Sequence, residues 1–276
     1  MNILVTLNSN YVPPLTVLLH SLTENNPSTV IDLYVAHSSL TSEDFRRIEN
    51  SCDMRRTRIH SVSIAPDVLA EAPTLKRLSK ETYYRLLAID FLPPEIDRIL
   101  YIDPDTVVLR SLDSFYNMDL NGSLMAAAGH TKGWIEALNH RRLKMAEGSR
   151  YINAGIILMD IQAMRKEYTV HDIFDYITAN AKKLYLGDQD VFNGLFTGRI
   201  RIVDECLYNL DEKTFREHRG HIDLEWVRQN TVIVHYNGQY KPWKEGYKGV
   251  LQDFYYDYRK KLPQLPLQHQ KGSLIA

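Results

Sequence analysis

Two aspartates separated by a single proline form the sharpest local pattern in the sequence. Asp103 and Asp105 follow the apolar run RILYI at 98–102 directly. In open α/β sheets, ligands bind beyond the carboxyl ends of the strands, and residues two apart at a strand end project to the same side. Two carboxylates held close together suit Mg²⁺ or Mn²⁺, with phosphate oxygens at the other positions. The alternative interpretation is a solvated acidic turn in which Asp103 caps backbone amides.

A second polar segment, HYNGQYKPW at 235–243, follows another apolar run. His235 can serve as a third protein ligand of the same ion, and a nitrogen ligand shifts the preference from Mg²⁺ towards Mn²⁺. Gly238 allows a phosphate to approach the backbone closely, and Lys241 supplies a positive charge for a diphosphate. The alternative interpretation is a buried histidine at a strand end beside an aromatic packing corner.

Three further positions carry polar side chains suited to ligand binding. The segment GDQD at 187–190 places Asp188 and Gln189 at a predicted helix start, where Asp188 could instead cap the helix. Asn153 opens a buried strand, either as a turn residue or as a ligand donor. Arg85 lies on a predicted helix, where a surface salt bridge is the alternative interpretation.

The segment NSNY at 8–11 ends the first apolar run, on the side of the sheet where ligands are expected. The side-chain amides of Asn8 and Asn10 could read the edge of a nucleobase. The ring of Tyr11 could stack on the base. These residue types therefore predict a nucleotide site next to the aspartates.

The elements that must hold these side chains follow from the hydrophobic pattern. Strands are predicted at 2–7, 31–36, 58–64, 98–102, 124–129, 155–160 and 231–235. Helices are predicted after Pro13 and Pro14, after Thr41 as a polar N-cap, at 81–92 and at 170–183. Strand and helix alternating at this pitch predict an α/β fold with a mostly parallel sheet covered by helices on both faces.

The remaining segments have weaker patterns. Residues 107–110 are expected to form a short strand or a turn, and residues 132–150, which lack a clean period, a loop or mobile insertion. Because no internal repeat or linker-like stretch is present, we expect one domain at 1–243. A small C-terminal helical appendage is expected at 244–276, ending in a polar, frayed tail after Pro263.

Composition narrows the functional class. The 276 residues have a formal net charge of −1 and 44% hydrophobic residues, which argues against disorder and against a broad electrostatic grip on nucleic acid. The only two cysteines, Cys52 and Cys206, have no disulfide-like or zinc-like spacing. The segment 1–15 lacks the basic and long apolar regions of a signal peptide, so none is expected, and no apolar run approaches the roughly 20 residues that span a bilayer. A cytoplasmic location is therefore expected.

Taken together and in this order, the motifs NSNY, YYRLL, DPD, NAG, GDQD and HYNGQYKPW resemble those of the family 8 glycosyltransferases. The resemblance covers roughly residues 2–243. It implies a GT-A fold, which is a Rossmann-like, mostly parallel mixed sheet flanked by helices. It also implies a retaining, metal-dependent enzyme that uses a nucleotide sugar.

The resemblance assigns roles to the residues singled out above. It implies Asp103, Asp105 and His235 as ligands of Mn²⁺, with Mg²⁺ as the second choice. It implies Asn8, Asn10 and Tyr11 around uracil, and Gly238 and Lys241 at the diphosphate. It implies Arg85, Asn153, Asp188 and Gln189 around the donor sugar. The expected partners are a UDP-hexose and a saccharide or glycolipid acceptor of a cell-surface glycan such as lipopolysaccharide.

Two other functions fit part of the sequence. A phosphatase of the haloacid dehalogenase type also has an apolar strand followed by Asp-x-Asp, with Asp103 as the nucleophile. That motif normally lies near the N-terminus, and this interpretation leaves 235–243 without a role. A non-catalytic sugar-nucleotide binding module is the other alternative. The sequence does not decide between galactose and glucose.

The residues at the helix start favour one stereochemical course. Gln189 is a poor nucleophile, but its amide dipole can stabilise a positively charged anomeric centre, while Asp188 is placed to grip sugar hydroxyls. We therefore expect same-face substitution with retention and no glycosyl-enzyme. The basic and aromatic segment 244–261 suits either peripheral contact with an anionic membrane surface or an ordinary packed helix.

Overall fold

The computed structural model describes residues 1–65, 81–129 and 132–262. The polar tail predicted after Pro263 therefore lies outside the described residues. Within these ranges, no helix is long and apolar enough to cross a membrane.

Nine strands are found in the described residues. They are β1 (Asn2–Thr6), β2 (Ile31–His37), β3 (Thr57–Ser63), β4 (Arg98–Ile102), β5 (Thr106–Val108), β6 (Met125–Gly129), β7 (Ile152–Asp160), β8 (Ile200–Val203) and β9 (Ile233–His235). Seven of them form one sheet in the order β3-β2-β1-β4-β7-β6-β8, in which β7 runs antiparallel to both of its neighbours and all other pairs are parallel. The remaining two, β5 and β9, form a separate antiparallel pair. The predicted mostly parallel mixed sheet is confirmed.

Helices cover the sheet. They are α1 (Val12–Asn25), α2 (Ser42–Glu49), α3 (Glu81–Tyr84), α4 (Ala88–Phe91), α5 (Asp113–Tyr116), α6 (Gly133–Leu143), α7 (Ile161–Glu167), α8 (Val170–Asn180), α9 (Asp188–Leu195), α10 (Glu205–Tyr208), α11 (Glu212–Glu217), α12 (Leu224–Asn230) and α13 (Gln252–Arg259). Short 3₁₀ turns occupy Ser9–Tyr11, Arg85–Leu87 and Ala181–Lys183. N-terminal capping residues account for the positions at which several of these helices begin. Thr41 and Asp44, for example, form a complete capping box at the start of α2.

Two predicted elements differ from the structure. The single helix expected at 81–92 is interrupted by a 3₁₀ turn at Arg85–Leu87, where the guanidinium of Arg85 is buried. The loop expected at 132–150 is wrong, because α6 occupies Gly133–Leu143. Its inward face carries Asn139 and Arg142, and buried polar side chains hide the apolar period by which a helix is recognised in a sequence.

Alternate residues along the central strands supply two core clusters, one on each face of the sheet. On β7, Ile157 and Met159 belong to one cluster, and Ile156 and Leu158 belong to the other. A third cluster lies beside the β5–β9 pair and includes Leu251, Phe254 and Tyr255 from the C-terminal region. The first turns of α13 therefore contribute to the core, whereas the domain boundary at 243/244 stays a prediction.

Candidate functional site

Strand pairing brings the two aspartates and the histidine together. Asp103 follows β4 and Asp105 precedes β5, whose residue Thr106 pairs with His235 at the end of β9. One ligand atom from each of Asp103, Asp105 and His235 lies within 4.8 Å of the others. The Nε2 atom of His235 is 3.6 Å from Asp103 and 3.3 Å from Asp105. The three side chains predicted to hold a metal thus converge on one point.

The donor chemistry of this cluster fits a divalent cation. His235 Nε2 is buried and makes no hydrogen bond with the described residues. Its other nitrogen, Nδ1, lies 2.8 Å from the side-chain oxygen of Asn209, the arrangement by which proteins orient a metal-binding imidazole. Two carboxylates and one imidazole suit Mn²⁺ better than a purely oxygen-lined site would.

A glycine keeps the space beside the cluster open. A Cβ atom at Gly155 would lie 2.2 Å from His235 Cε1 and 2.7 Å from an Asp103 oxygen. Both distances are far shorter than any real Cβ contact, so a side chain at this position would displace the ligands. The sequence shows Gly155 only as the start of a predicted strand, although the structure places it inside β7.

A buried arginine and a half-buried lysine face the carboxylates. Arg85 donates from Nη1 to Asp103 at 3.0 Å and to the Ala154 carbonyl at 2.6 Å, and its Nε atom lies 2.8 Å from Asp188. Lys241 donates to Asp105 at 2.6 Å. Burial alone would raise the pKa of Asp105, but the ammonium of Lys241 and the neighbouring ring of His235 outweigh it and hold this pKa well below its usual range. Asp105 is therefore an ionised, acceptor-only group at neutral pH.

Asp188 lies in a different electrostatic environment. Burial raises the pKa of its carboxyl from 3.8 to about 6, although the charge of Arg85 opposes the rise. The prediction that Asp188 could cap a helix is wrong. Gly187, with a φ of 56°, is the cap residue, and Asp188 is the first residue of α9. The left-handed backbone at Gly187 leaves the carboxylate of Asp188 free to turn towards Arg85.

The side chains of Gln189 and Asn153 each accept a hydrogen bond from a backbone amide of β7. The side-chain oxygen of Gln189 accepts from the Ala154 amide at 3.2 Å, and its nitrogen donates to the Tyr151 hydroxyl at 3.2 Å. Asn153 Oδ1 accepts from the Gly155 amide and from Asn209. Asn153 is therefore linked to the His235 side of the cluster, and Gln189 to the opposite side of the strand.

Of the predicted nucleotide-binding residues, Asn8, Asn10 and Tyr11 line one pocket and Gly238 lines another. A pocket of about 300 Å³ is lined by Asn8, Asn10, Tyr11, Arg85, Asp103 and Asp105, among others. A second pocket, of about 440 Å³, is lined by His235, Gly238, Tyr240, Arg216 and their neighbours. The Tyr11 ring packs edge-on against Trp243, with centroids 6.0 Å apart, so Tyr11 contacts the segment 235–243 that also carries Lys241.

Sequence reasoning missed four residues that hold the site together. They are Tyr101, Tyr151, Asp190 and Asn209. The hydroxyl of Tyr101 donates to Asp103, and Asn209 contacts His235. Tyr101 could have been found, because it lies on β4 two residues before Asp103, which follows that strand directly, and so projects to the same side. A lone asparagine such as Asn209 gives no comparable signal.

Comparisons with known proteins agree with this geometry. The family model described as "Glycosyl transferase family 8" matches residues 2–246. General stress protein A of Bacillus subtilis (strain 168) is 26% identical over 94% of this chain and 92% of its own length. The lipopolysaccharide 1,2-glucosyltransferase of Escherichia coli (strain K12) is 24% identical over 88% of this chain and 72% of its own length.

The fold is also that of a solved structure. The galactosyltransferase LgtC, crystallised with donor and acceptor sugar analogs, superposes with a TM-score of 0.84 over 97% of this chain and 98% of its own length. The two sequences are 23% identical. This likeness establishes the GT-A architecture.

Proposed function

The chain belongs to glycosyl transferase family 8, and from that membership we propose that it is a retaining hexosyltransferase. It would transfer galactose or glucose from a UDP-sugar to a saccharide or glycolipid acceptor. The observation that carries the proposal is the convergence of Asp103, Asp105 and His235 beside the side-chain cations of Arg85 and Lys241. A diphosphate leaving group needs such a mixture of metal ligands and positive side chains.

The UDP moiety would lie along the pocket that begins at the end of β1. Asn8 and Asn10 would contact the uracil edge and Tyr11 its face, because amides match the donors and acceptors of a base and an aromatic ring stacks on it. Lys241, already paired with Asp105, would contact the diphosphate, and Gly238 would leave room for it.

Asp103, Asp105 and His235 would hold a divalent cation, Mn²⁺ in preference to Mg²⁺. When bound, the ion supplies positive charge that neutralises the diphosphate as it leaves. The protein contributes preorganisation. Asn209 orients the ring of His235, and Arg85 and Tyr101 hold one oxygen of Asp103, so that its other oxygen faces the cluster.

The donor sugar would lie against Arg85, Asn153, Asp188 and Gln189. The bond from the anomeric carbon to the diphosphate breaks, and the acceptor oxygen forms the new bond on the same face. The acceptor proton passes to an oxygen of the departing β-phosphate, so no protein base is needed. Gln189 would stabilise the positively charged anomeric centre through its amide dipole, and Asp188 would hold sugar hydroxyls. Retention of the α configuration follows.

The acceptor is proposed by class alone, as a saccharide or glycolipid of a cell-surface glycan. The free thiols of Cys52 and Cys206 support a reducing, cytoplasmic location. Peripheral membrane contact through α13 would involve only its exposed face, because α13 directs Phe254 and Tyr255 into the core. Its exposed face offers Tyr256 as a single large apolar side chain.

A screen of UDP-sugars tests the proposal directly. Wild-type protein, Mn²⁺ and either UDP-galactose or UDP-glucose should release UDP slowly, as measured by mass spectrometry and NMR. Chelation with EDTA and the substitution Asp105→Asn should each abolish that release. The matched control Asp90→Asn, on an exposed side chain of α4, should leave it unchanged.

Other outcomes would assign the protein elsewhere. Free phosphate released from a generic phosphoester would favour the phosphatase. Binding of UDP without turnover of any donor would favour the binding module. A β-linked product from an α-linked donor, or a sugar trapped covalently on Gln189 or Asp188, would contradict the mechanism.

A further inference from the structure

Asp190, next to Gln189 in α9, is completely buried and surrounded by donors. Its Oδ2 atom accepts from Arg142 Nη1 at 2.6 Å and from the Leu186 amide at 2.8 Å. Its Oδ1 atom accepts from Arg142 Nη2 at 2.8 Å and from the Tyr151 hydroxyl at 2.7 Å. The carboxylate thus accepts four hydrogen bonds, two of them from the charged guanidinium of Arg142. These bonds offset the free-energy cost of burying the carboxylate.

This arrangement fixes the direction of the Tyr151 hydroxyl. An ionised carboxylate can only accept hydrogen bonds, so the single proton of Tyr151 must point at Asp190. The oxygen of Tyr151 is then left as an acceptor. The amide of Gln189, whose Nε2 atom lies 3.2 Å away, is a side-chain donor placed to occupy that acceptor.

The amide of Gln189 is thereby oriented from both ends. Its nitrogen must face Tyr151, and its oxygen accepts from the backbone amide of Ala154 at 3.2 Å. A flipped amide would place two donors against each other at Ala154 and two acceptors at Tyr151. Asn193 clamps the same helix to β7, because it bonds the Ile152 amide and the Gln189 carbonyl.

The side-chain oxygen of Gln189 lies beside the part of β7 that borders Asp103 and His235. The Ala154 carbonyl accepts from Arg85, and the next residue, Gly155, is in contact range of His235 and Asp103. The amide dipole of Gln189 therefore presents its negative end to the strand that borders the metal ligands. A positive charge on an anomeric carbon is stabilised by the negative end of a dipole and destabilised by the positive end.

We propose that Arg142, Asp190 and Tyr151 are positioning residues that set the orientation of the Gln189 amide. The inference rests on the proposed function, in which Gln189 supports the developing positive charge. None of the three needs to touch the donor. Arg142 is itself anchored on α6, where it contacts Asn139, and its guanidinium lies 4.7 Å from the centre of the Tyr185 ring. Through Arg142, α6 contributes to the candidate site, a role that the sequence of residues 133–143 does not indicate.

Tyr151→Phe is the variant that tests the proposal with least risk to the fold. Replacing Asp190 or Arg142 would leave an unpaired buried charge and could unfold the protein. Tyr151→Phe removes one hydroxyl and leaves Asp190 with three donors. We expect kcat for UDP release to fall about tenfold, as the loss of one positioning hydrogen bond would give. The KM for the UDP-hexose should stay within about twofold, because the proposal gives Tyr151 no contact with the donor.

Tyr176→Phe is the matched control. Tyr176 lies on α8, and its hydroxyl packs against Gly194, which is on α9 like Gln189. This hydroxyl is buried and has no hydrogen-bond partner among the described residues. Its removal should leave kcat unchanged. An equal fall of kcat in Tyr176→Phe would show that any lost hydroxyl at α9 disturbs the enzyme, and would overturn the proposal.

A double-mutant cycle tests whether Tyr151 acts through Gln189. In the Gln189→Ala background, Tyr151→Phe should no longer lower kcat, because there is no amide left to orient. The same tenfold fall in that background would show that Tyr151 acts by another route and would overturn the proposal.

NMR on protein labelled with ¹⁵N-glutamine supplies a readout that does not need activity. The side-chain amide signal of Gln189, assigned by its loss in Gln189→Ala, should shift in Tyr151→Phe and stay in place in Tyr176→Phe. An unshifted signal in Tyr151→Phe would contradict the positioning role. If the wild type turns over no UDP-hexose, the proposed function fails, while the NMR result still decides whether Tyr151 holds Gln189.

Discussion

The Nδ1 atom of His235 lies 2.8 Å from the side-chain oxygen of Asn209. An amide oxygen can only accept, so the proton of a neutral ring resides on Nδ1 and the lone pair on Nε2. The side-chain amide of Asn209 is fixed in this orientation, because its Nδ2 atom donates to Asn153 Oδ1 at 3.0 Å. His235 is therefore held in the tautomer that presents a lone pair to the space between Asp103 and Asp105.

Asn209→Ala should weaken the binding of Mn²⁺ about 10- to 100-fold, the usual cost of losing a side chain that orients a metal-binding histidine. Titration calorimetry with MnCl₂ in the presence of UDP measures the effect. Asn230→Ala, which removes an exposed asparagine from the end of α12, serves as the control and should bind normally. Unchanged affinity in Asn209→Ala would show that Asn209 does not orient the ring.

Gly155→Ala should damage the same cluster by steric overlap. The added Cβ would lie 2.2 Å from His235 Cε1, so the ring or the strand must move. We expect a loss of about 1–3 kcal/mol in the free energy of unfolding, together with a large loss of Mn²⁺ affinity. Gly220→Ala is the matched control, because its Cβ would meet no atom within 4 Å and its φ is not positive. Equal urea midpoints and equal affinities for the two variants would contradict the prediction.

The sequence predicts the central sheet well because its strands carry strong, simple signals. Runs such as 98–102 and 31–36 carry one charged residue each and are otherwise apolar and buried, and they are bounded by turn residues or helical patterns. The helix α6 escapes such reasoning for a physical reason. Its inward side chains include Arg142, which is buried because Asp190 neutralises it, and that partner lies 48 residues later in the chain.

The residues of the candidate site also differ in how far they can be predicted from local sequence. Asp103, Asp105 and His235 are predictable, because their residue types have few structural uses at strand ends. Asn209 and Tyr151 are not predictable, since their roles arise from contacts across the fold and not from local spacing. The sequence therefore identifies groups that act on a ligand more readily than groups that orient them.

Lys241→Met should change metal and nucleotide binding in opposite directions. Without nucleotide, the ammonium group lies 2.6 Å from an Asp105 oxygen and competes with a cation for it. Its removal should strengthen Mn²⁺ binding about three- to tenfold, since one nearby positive charge is lost. UDP binding in the presence of Mn²⁺ should weaken about 10- to 100-fold, because a charge-assisted hydrogen bond to a phosphate is lost.

Calorimetry on Lys241→Met and on Lys244→Met separates these effects. Lys244 is exposed on the same segment and carries the same charge, so its removal controls for net charge. It should leave both affinities nearly unchanged. Weaker binding of Mn²⁺ to nucleotide-free Lys241→Met would rule out competition between the two cations for Asp105.

Asp188 should make stability depend on pH in a direction opposite to that of an ordinary paired carboxylate. Burial raises its pKa to about 6 in the folded protein, against 3.8 as the ordinary value, so the folded state binds the proton more tightly than the unfolded state. The stability contributed by that proton is fully present below about pH 4 and is lost as pH rises through 6. Asp188→Asn, which mimics the protonated form, should therefore unfold at higher urea than the wild type at pH 7.5, by up to about 2–3 kcal/mol. The difference should vanish near pH 4.

Urea unfolding of metal-free protein at several pH values measures this difference in stability. The control variant Asp90→Asn, which changes an exposed side chain, should differ from the wild type by the same amount at every pH. A wild type that gains stability over Asp188→Asn as pH rises would mean that the Arg85 ion pair outweighs burial and that the pKa of Asp188 is lowered.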